Sequence, residues 1–377
     1  MSKKIVILAL HLGAGGAEKV ICNLANLLSE NNNVKIISTY KLTEKPAFKI
    51  NNSVEIEYLI QDLKPNKQDL KNSLKSFNLI RIFKELLISF KILYLRKSLM
   101  VKAIKKLDCD IVISTRIFHS NLVGKYANKN IIKIAQEHNH HNNNEKYIKK
   151  VIKSLKGFNY FIPVSKELAD FYSSKIKNTK VLHIPNFIEN FSNKFSNLQN
   201  KQLISVGRLE NVKGFTDLID IFNIFQKNHP DWILNIIGDG SEKQNLQNKI
   251  NELNLHNKIF LCGTKLSDEL EKEYLNSSIY LMTSFSESFG LVLVEAASYG
   301  LPLIAFDSAQ GAKEIIENNK NGFLIPNRDK KQFAKKIDEI INNFELQKSL
   351  SENSIIVANK FSKNNISEIW NKFINNI

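Results

Sequence analysis

Two cations stand five residues apart in the segment SVGRLENVKG (205–214), where Arg208 and Lys213 follow a short apolar run. A guanidinium presents a planar fork of donors and an ammonium presents a compact charge, and both groups bind phosphate oxygens. At the carboxyl end of a strand, such a pair would suit a diphosphate. Pairs of solvated surface cations show the same spacing, so the pair by itself leaves both interpretations open.

Two carboxylates, Glu287 and Glu295, lie in SFSESFGLVLVEAASYG (284–300), where a helix is predicted to begin near Gly290. Carboxylates accept hydrogen bonds from sugar hydroxyls, and a helix start exposes backbone N–H groups to an anionic ligand. Here those N–H groups would belong to Phe289, Gly290 and Leu291. The alternative is structural, with Glu295 interacting with the helix dipole and Glu287 solvated.

A glycine-rich turn, GAGGAEK (13–19), follows the first predicted strand and opens a helix. Its residues Gly15 and Gly16 would let the backbone approach an anion, although a tight structural turn needs glycine as well. The dinucleotide fingerprint G-x-G-x-x-G fails because Glu18 occupies its third glycine position, and this disfavours a dehydrogenase.

Three histidines lie close together in QEHNHHNN (136–143). The first of them, His138, is a candidate for a sugar contact. A solvated loop is the second interpretation, and a metal site that includes His140 and His141 is the third.

These motifs follow predicted strands or begin predicted helices. Apolar runs alternate with helical patterns along the chain, which predicts parallel sheets covered by helices on both faces. Residues 183–200, rich in Asn and Ser, interrupt the alternation as a linker would. The predicted strands are KIVILAL (4–10), VKIIST (34–39), VEIEYL (54–59), DIVIST (110–115), IIKIAQ (131–136), YFIPVS (160–165), LISVG (203–207), WILNIIG (232–238), KIFLCG (258–263), IYLMTS (279–284) and LPLIAF (301–306).

The predicted fold class is therefore α/β, with two Rossmann-like, doubly wound parallel-sheet domains that face each other across a cleft. Ligand sites on such sheets lie at the carboxyl ends of the strands. We place an N-terminal domain at residues 1–185, a linker at 186–200 and a C-terminal domain at 201–377. The last helix is expected to pack back on the N-terminal domain.

Basic residues concentrate in the first half of the chain. Residues 1–190 carry 32 Lys or Arg against 15 Asp or Glu, and residues 191–377 carry 21 against 22. The segment 70–106 holds ten Lys or Arg and one acidic residue, Glu85, between recurring Leu, Ile and Phe. A basic, apolar-rich helix suits an anionic membrane surface. The alternative is a core helix with a solvated lysine face, and the absence of interleaved aromatic platforms disfavours nucleic acid.

Composition excludes several other classes of protein. Hydrophobic residues make up 43% of the 377, too many for a disordered chain. The three cysteines, Cys22, Cys109 and Cys262, show neither disulfide nor zinc spacing, which favours a reducing cytoplasm. The sequence has no run of 18 uncharged apolar residues, so we predict no membrane span.

Taken together, the motifs occur in the order typical of one enzyme family. GAGGAEK, SVGRLENVKG, IIGDG (236–240), ESFGLVLVE (287–295) and NGFLIP (321–326) resemble those of the retaining glycosyltransferases of family 4, the group 1 glycosyl transferases with the GT-B fold. The resemblance covers nearly the whole chain and is most specific in the second half. Ser288 departs from the family pattern, which usually has glycine there, and would alter the space around the sugar.

The resemblance implies that the N-terminal domain binds the acceptor and that the C-terminal domain binds the nucleotide-sugar donor. It also implies a role for each matching residue. Arg208 and Lys213 would bind the donor diphosphate, while Glu287 and His138 would contact the donor sugar. Other donor contacts are implied for Glu295 at the ribose, for the amides of Phe289, Gly290 and Leu291, for the backbone of Thr264 and Lys265 beside the base, and for Gly15 and Gly16 near the phosphate. No metal or other cofactor is implied, because protein cations and helix amides would carry the diphosphate charge.

The implied activity moves a hexose or an N-acetylhexosamine from a nucleotide sugar to a lipid-linked or growing surface glycan. UDP is the donor nucleotide that its frequency in the family favours. With the basic first half, we expect a cytoplasmic enzyme associated peripherally with the inner face of the cell membrane. Its partners would be the nucleotide sugar, the glycan acceptor and anionic lipid. The alternatives are a soluble small-molecule sugar transferase or synthase, and a catalytically silent nucleotide-sugar-binding protein.

Overall fold

The computed structural model describes residues 2–76, 78–266 and 268–377, without the side chains of residues 67 and 68. The chain forms two compact units. Unit 1 consists of Met1–Ile184 with Ile369–Ile377, and unit 2 of Pro185–Glu368. Residues 186–200, predicted as a linker, are thus counted with unit 2.

Unit 1 is built on a parallel sheet with the strand order β3-β2-β1-β4-β5-β6-β7 over the described residues. Its central strands are apolar and buried, as β4 is at every position, because helices cover both faces of the sheet. The strands are β1 (Lys4–Ala9), β2 (Asn33–Tyr40), β3 (Glu55–Ile60), β4 (Ile111–Ser114), β5 (Ile132–Glu137), β6 (Tyr160–Pro163) and β7 (Lys180–Val181).

Helices connect most of these strands, and the longest is α3. The helices of this half are α1 (Gly16–Leu28), α2 (Lys67–Lys75), α3 (Leu79–Lys105), α4 (Ile117–Tyr126), α5 (Glu145–Ser154) and α6 (Lys166–Ser173). The end of the last helix also belongs to unit 1, where the Lys3 ammonium donates to the carbonyl oxygen of Ile374 at 2.8 Å. The rings of Tyr160 and Phe373 meet edge to face with centroids 5.0 Å apart.

Unit 2 repeats the architecture with a parallel sheet of strand order β10-β9-β8-β11-β12-β13 in its described part. Its strands are β8 (Gln202–Val206), β9 (Ile233–Ile237), β10 (Ile259–Leu261), β11 (Ile279–Met282), β12 (Leu303–Phe306) and β13 (Gly322–Ile325). Its helices are α7 (Phe215–Phe225), α8 (Lys243–Glu252), α9 (Asp268–Leu275), α10 (Leu291–Ser298), α11 (Ala312–Ile315), α12 (Lys330–Ile341), α13 (Phe344–Lys360) and α14 (Lys363–Asn375), which continues into unit 1.

The structure confirms the predicted α/β class with two parallel-sheet domains. Every predicted strand is present, although most are shorter than their apolar runs. Two strands were not predicted: β7 has only two residues, and β13 lies inside the NGFLIP motif. Of the described helices, none combines the length and apolar character needed to cross a bilayer.

Candidate active site

Unit 2 places Lys213 in a tight turn after β8. The turn is a short 3-10 helix, Asn211–Lys213, and Gly214 follows it with a φ of +65°. A Cβ at Gly214 would lie 2.2 Å from the carbonyl oxygen of Thr283. Glycine is therefore required where this turn touches the loop after β11.

Two hydrogen bonds join the same turn to the loop after β11. The Thr283 hydroxyl donates to the carbonyl oxygen of Lys213 at 3.2 Å, and the Phe285 N–H donates to that of Val212 at 2.8 Å. The backbone of Lys213 is thereby held beside the loop that carries Glu287.

The side chains of Lys213 and Glu287 form an ion pair within unit 2. Both are mostly buried, with 19% and 17% of their side-chain surface exposed. An ammonium has three donors and a carboxylate has two acceptor oxygens, so the pair leaves hydrogen-bonding capacity for a ligand. The structure thus brings together two residues that the sequence had placed in one site.

Arg208 lies beside this pair along the chain without contacting it. A Cβ at Gly207 would lie 3.7 Å from the Lys213 Cδ and Cε atoms, so the lysine stem runs past the residue before Arg208. The Arg208 side chain is exposed and makes no ion pair within the described ranges. It is placed to reach an anion near Lys213 only from solvent.

The helix α10 begins at Leu291, next to Glu287, as the pattern predicted. Gly290 takes φ +93° at the cap, and the Glu287 carbonyl accepts a hydrogen bond from the Gly311 N–H at 2.8 Å. A Cβ at Gly311 would lie 2.5 Å from the backbone of Phe289, so this loop packs closely. The first N–H groups of an α-helix have no partner inside it, and a Cβ at Gly290 would lie 3.5 Å from the Glu287 Cγ atom, so α10 begins close to the Glu287 side chain.

Glu295 lies one helical turn further along α10 and is held by a tyrosine. The Tyr274 hydroxyl lies 3.4 Å from the Glu295 Oε2 atom. Tyr274 is buried and stacks on Tyr299 with centroids 5.1 Å apart. Burial and the neighbouring charge of Glu295 raise the pKa of Tyr274, so the hydroxyl stays protonated and can donate to the carboxylate.

Thr264 and Lys265 follow β10. The Lys265 ammonium pairs with Glu273, and the hydrogen bond between them raises the pKa of Lys265. Glu273 also accepts from the Asn235 amide at 2.9 Å. The Lys265 ammonium is thus paired within unit 2, and the backbone contact that the resemblance implied for Thr264 and Lys265 stays a prediction.

An arginine that sequence analysis missed fixes the loop after β11. Arg328 donates to Asp217 Oδ2 at 2.6 Å and to the carbonyl oxygen of Thr283 at 2.8 Å. Its guanidinium lies 3.7 Å from the ring centroid of Phe285 and 4.3 Å from that of Phe306. It therefore ties α7 to the loop that carries the ion pair.

In unit 1, Gly15 caps α1 and Gly16 begins it, close to an ion pair between Glu18 and Arg116. The Arg116 guanidinium donates to Glu18 Oε1 at 2.6 Å, and Glu18 is 4% exposed. A Cβ at Gly15 would meet the Glu18 carboxylate, whereas a Cβ at Gly16 would have open space. The turn therefore holds a structural carboxylate as well as a helix start.

His138 lies just after β5 in unit 1. Burial, and to a smaller extent the charge of Arg116, lowers the pKa of His138 to about 4. Its Nε2 atom is buried and has no hydrogen-bond partner among the described residues. A neutral imidazole offers one donor and one acceptor, as a sugar hydroxyl contact would require.

The other two histidines of that motif belong to an aromatic cluster. The His141 ring lies 4.3 Å from Phe171 and 4.7 Å from His140 between centroids. In the described parts of the chain, no group of three His, Cys, Asp or Glu residues is placed to hold a metal ion.

Tyr274, Arg328 and the Glu18–Arg116 pair were not found from the sequence. Tyr274 lies in EKEYLNS, which carries no recognisable motif. Arg328 comes two residues after NGFLIP and belongs to none of the motifs. Glu18 was noted only as the residue that breaks a glycine fingerprint, and its partner is far away in sequence.

Residues 186–356 match the family model described as "Glycosyl transferases group 1". Over its whole length the chain is 29% identical to an uncharacterized glycosyltransferase of Haemophilus influenzae, covering 98% of this chain and 99% of that one. It is 25% identical to an alpha-1,4-N-acetyl-D-galactosaminyltransferase of Campylobacter jejuni that is named for a diNAcBac-PP-undecaprenol-linked substrate. That match covers 98% of each protein.

Solved glycosyltransferases share the fold. TarM superposes with a TM-score of 0.78 at 17% identity, covering 99% of this chain and 98% of TarM. The pneumococcal O-GlcNAc transferase GtfA, solved with UDP and GlcNAc, has a TM-score of 0.64 at 25% identity, covering 75% of this chain and 59% of GtfA. The match over residues 186–356 and the similarity to bacterial glycosyltransferases show that this protein is a glycosyltransferase, and its two parallel-sheet domains have the GT-B fold.

Proposed function

We propose that the protein is a retaining glycosyltransferase that moves a hexose or an N-acetylhexosamine from a nucleotide sugar to a lipid-linked or growing surface glycan. The observation that carries the proposal is the Lys213–Glu287 pair beside the start of α10. This arrangement sets a phosphate-binding cation next to a carboxylate that can accept from sugar hydroxyls.

UDP is the donor nucleotide to test first. The GtfA structure, whose sequence is 25% identical over the aligned part, was solved with UDP and GlcNAc. In this chain Glu295, held by Tyr274, would accept hydrogen bonds from the ribose hydroxyls. The backbone of Thr264 and Lys265 would lie beside the base.

During transfer, the bond between the sugar C1 and the diphosphate oxygen breaks, and a bond from C1 to the acceptor oxygen forms on the same face. The leaving diphosphate takes the acceptor proton. Lys213, Arg208 and the α10 amides would stabilise the negative charge that grows on the diphosphate. His138, neutral near pH 7, would hydrogen-bond the donor sugar.

The diphosphate needs no metal ion in this proposal. We expect donor turnover to survive EDTA within about twofold, because protein cations and amides carry the charge. The measurement is nucleoside diphosphate release with and without EDTA. Loss of turnover that Mg²⁺ or Mn²⁺ restores would contradict the proposed site.

The acceptor is proposed to be lipid-linked, and the enzyme to work at the inner face of the cell membrane. The Campylobacter relative is named for an undecaprenol-linked substrate. The +17 net charge of residues 1–190, from 32 basic and 15 acidic residues, suits an anionic leaflet. The test is transfer from UDP-sugars to polyprenyl-diphosphate-linked glycans compared with free oligosaccharides. Exclusive use of free sugars would contradict it.

A further inference from the structure

The helix α3 has two apolar faces. One of them is packed into unit 1 through Ile92, while Met100 and Ile104 are buried nearer the end of the helix, past the last residue of the opposite face. Ile92 joins Tyr40 and Ile60 in a small core cluster, and Ile88, Leu95 and Leu99 pack against it from the same face. This face accounts for the attachment of α3 to the domain.

The opposite face of α3 is apolar and exposed. Eight large side chains on it each have at least half of their surface exposed, up to 84% for Ile80. At about 100° per residue they form one stripe roughly 140° wide, turned away from the buried face. The residues of this exposed stripe are Leu79, Ile80, Phe83, Leu86, Leu87, Phe90, Leu93 and Tyr94.

The exposed stripe is long and continuous. It runs through 16 residues of α3, which is roughly 24 Å at 1.5 Å per residue. Soluble proteins rarely leave such a contiguous apolar patch in water unless it marks an interaction site.

Cations border the exposed stripe. The helix α3 carries seven Lys or Arg and a single acidic residue, Glu85. Lys84 and Lys91 lie along one edge of the stripe and Lys97 beyond its end, and all three are exposed. The Glu85 carboxylate lies on the packed side, where it accepts from the Asn66 amide at 2.8 Å.

We propose that the exposed stripe of α3 inserts into the headgroup and upper acyl region of an anionic bilayer, with the helix lying in the plane of the membrane. This inference rests on the proposed action at a lipid-linked acceptor. A purely apolar partner would not explain the cationic border, whereas anionic headgroups beside acyl chains match both features.

The membrane contact therefore lies in the first half of α3 rather than along the whole basic segment 70–106, of which residue 77 is outside the described residues. Further along the helix, the Arg96 guanidinium lies 4.2 Å from the ring centroid of Phe118, and Lys105 lies 5.5 Å from that of Tyr126. These cations are engaged with unit 1. Lys84 and Lys91 are the ones that face headgroups.

The test compares vesicle binding of the full-length protein and of a stripe variant in which Leu79, Phe83, Leu86 and Phe90 are all changed to Gln. The vesicles contain either phosphatidylglycerol with phosphatidylcholine or phosphatidylcholine alone. The matched control changes Phe344 and Ile356, exposed apolar residues of unit 2, to Gln. We expect the stripe variant to bind anionic vesicles at least about tenfold more weakly, while the control binds as the parent does.

A second variant reports the depth of insertion. In Phe90→Trp, the new indole should shift its emission to the blue and be quenched by brominated lipid when anionic vesicles are added. Unshifted emission, or a stripe variant that binds vesicles as the parent does, would overturn the proposal. The proposal would also be overturned if the parent protein were a dimer and the stripe variant a monomer, because the exposed stripe would then pack against a second copy of the chain.

Donor turnover in solution separates this inference from the proposed function. None of the residues proposed to bind the donor lies on α3, so we expect the stripe variant to keep its turnover. A parent protein that turns over donors but ignores anionic vesicles would overturn the inference alone. A parent that binds vesicles through the stripe but turns over no nucleotide sugar would overturn the proposed function alone.

Discussion

At the scale of single residues, the proposed function relies on polar groups whose positions and protonation states are set by the fold. Lys213 and Glu287 hold each other, Tyr274 holds Glu295, and burial keeps His138 neutral. Preorganised groups stabilise a transition state without having to move during reaction.

The first residue-scale prediction concerns Lys213. Lys213→Ala removes a cation from the proposed diphosphate site, and losing one preorganised group typically lowers kcat by about 10²–10³. Lys201→Ala is the matched control, since Lys201 forms an exposed ion pair with Asp231 in the same unit. Steady-state release of nucleoside diphosphate measures the effect. Equal rates for both variants would show that Lys213 does not serve the reaction.

The second concerns buried histidines and pH. Burial, with the charges of Arg116 and Arg96, lowers the pKa of His119 to about 3, and that of His138 is about 4. Histidine in the unfolded chain titrates near pH 6.5, so between pH 6.5 and 4 the unfolded state binds protons that the folded state does not. As the pH is lowered from 6.5 to 4, the free energy of unfolding should therefore decrease, by up to about 1.4 kcal/mol per pH unit for each histidine.

Urea unfolding at several pH values checks this prediction. His119→Gln and His138→Gln should each make the stability less dependent on pH between 6.5 and 4. His256→Gln, an exposed position in unit 2, should keep the parent slope. A parent slope in all three variants would mean that neither buried histidine is held neutral.

At the scale of elements, the site depends on loops that are fastened to each other rather than on one motif. The turn that ends at Lys213 touches the loop after β11 through Gly214 and Thr283, and Arg328 fastens that loop to Asp217 of α7. Substitutions that break the contact of Gly214 or of Arg328 with Thr283 should therefore change both the free energy of unfolding and the rate of donor turnover.

Gly214→Ala tests the close approach. It places a Cβ in a left-handed backbone and 2.2 Å from the Thr283 carbonyl oxygen. Gly263→Ala is the matched control, because Gly263 has a similar φ of +70° and open space around its Cβ. Thermal and urea unfolding should show about 1 kcal/mol lost in the control from backbone strain alone and distinctly more in Gly214→Ala. Equal losses would rule out the contact with Thr283.

Arg328→Gln tests the contacts of Arg328 with Asp217 and with the Thr283 carbonyl oxygen. It leaves Asp217 with Lys330 as its remaining ion-pair partner and removes the donors to Thr283. We expect a loss of about 1–3 kcal/mol in the free energy of unfolding, together with a lower kcat. Lys320→Gln, at an exposed ion pair with Glu317, should change neither. A destabilised Arg328→Gln with parental kcat would mean that Arg328 does not position the Lys213 turn.

At the scale of the whole molecule, the alternation of strands and helices predicted the architecture, because apolar periodicity records which residues are buried. The same signal could not show that α3 is apolar on two faces. Leu, Ile and Phe recur along the whole segment, so its sequence left a membrane-facing helix and a core helix as alternatives, and the structure leaves Phe83 and Phe90 exposed. Contacts between residues distant in sequence, such as Arg328 with Asp217, leave no local pattern.

We propose that a sugar is transferred with retention from a UDP-sugar to a lipid-linked glycan. The most direct measurement incubates the protein with a panel of UDP-sugars and a polyprenyl-diphosphate-linked acceptor, and examines the product by mass spectrometry and proton NMR. We expect an acceptor heavier by one hexose or N-acetylhexosamine, with the anomeric configuration of the donor kept in the new linkage. An inverted linkage, or donor hydrolysis with no sugar added to the acceptor, would contradict it.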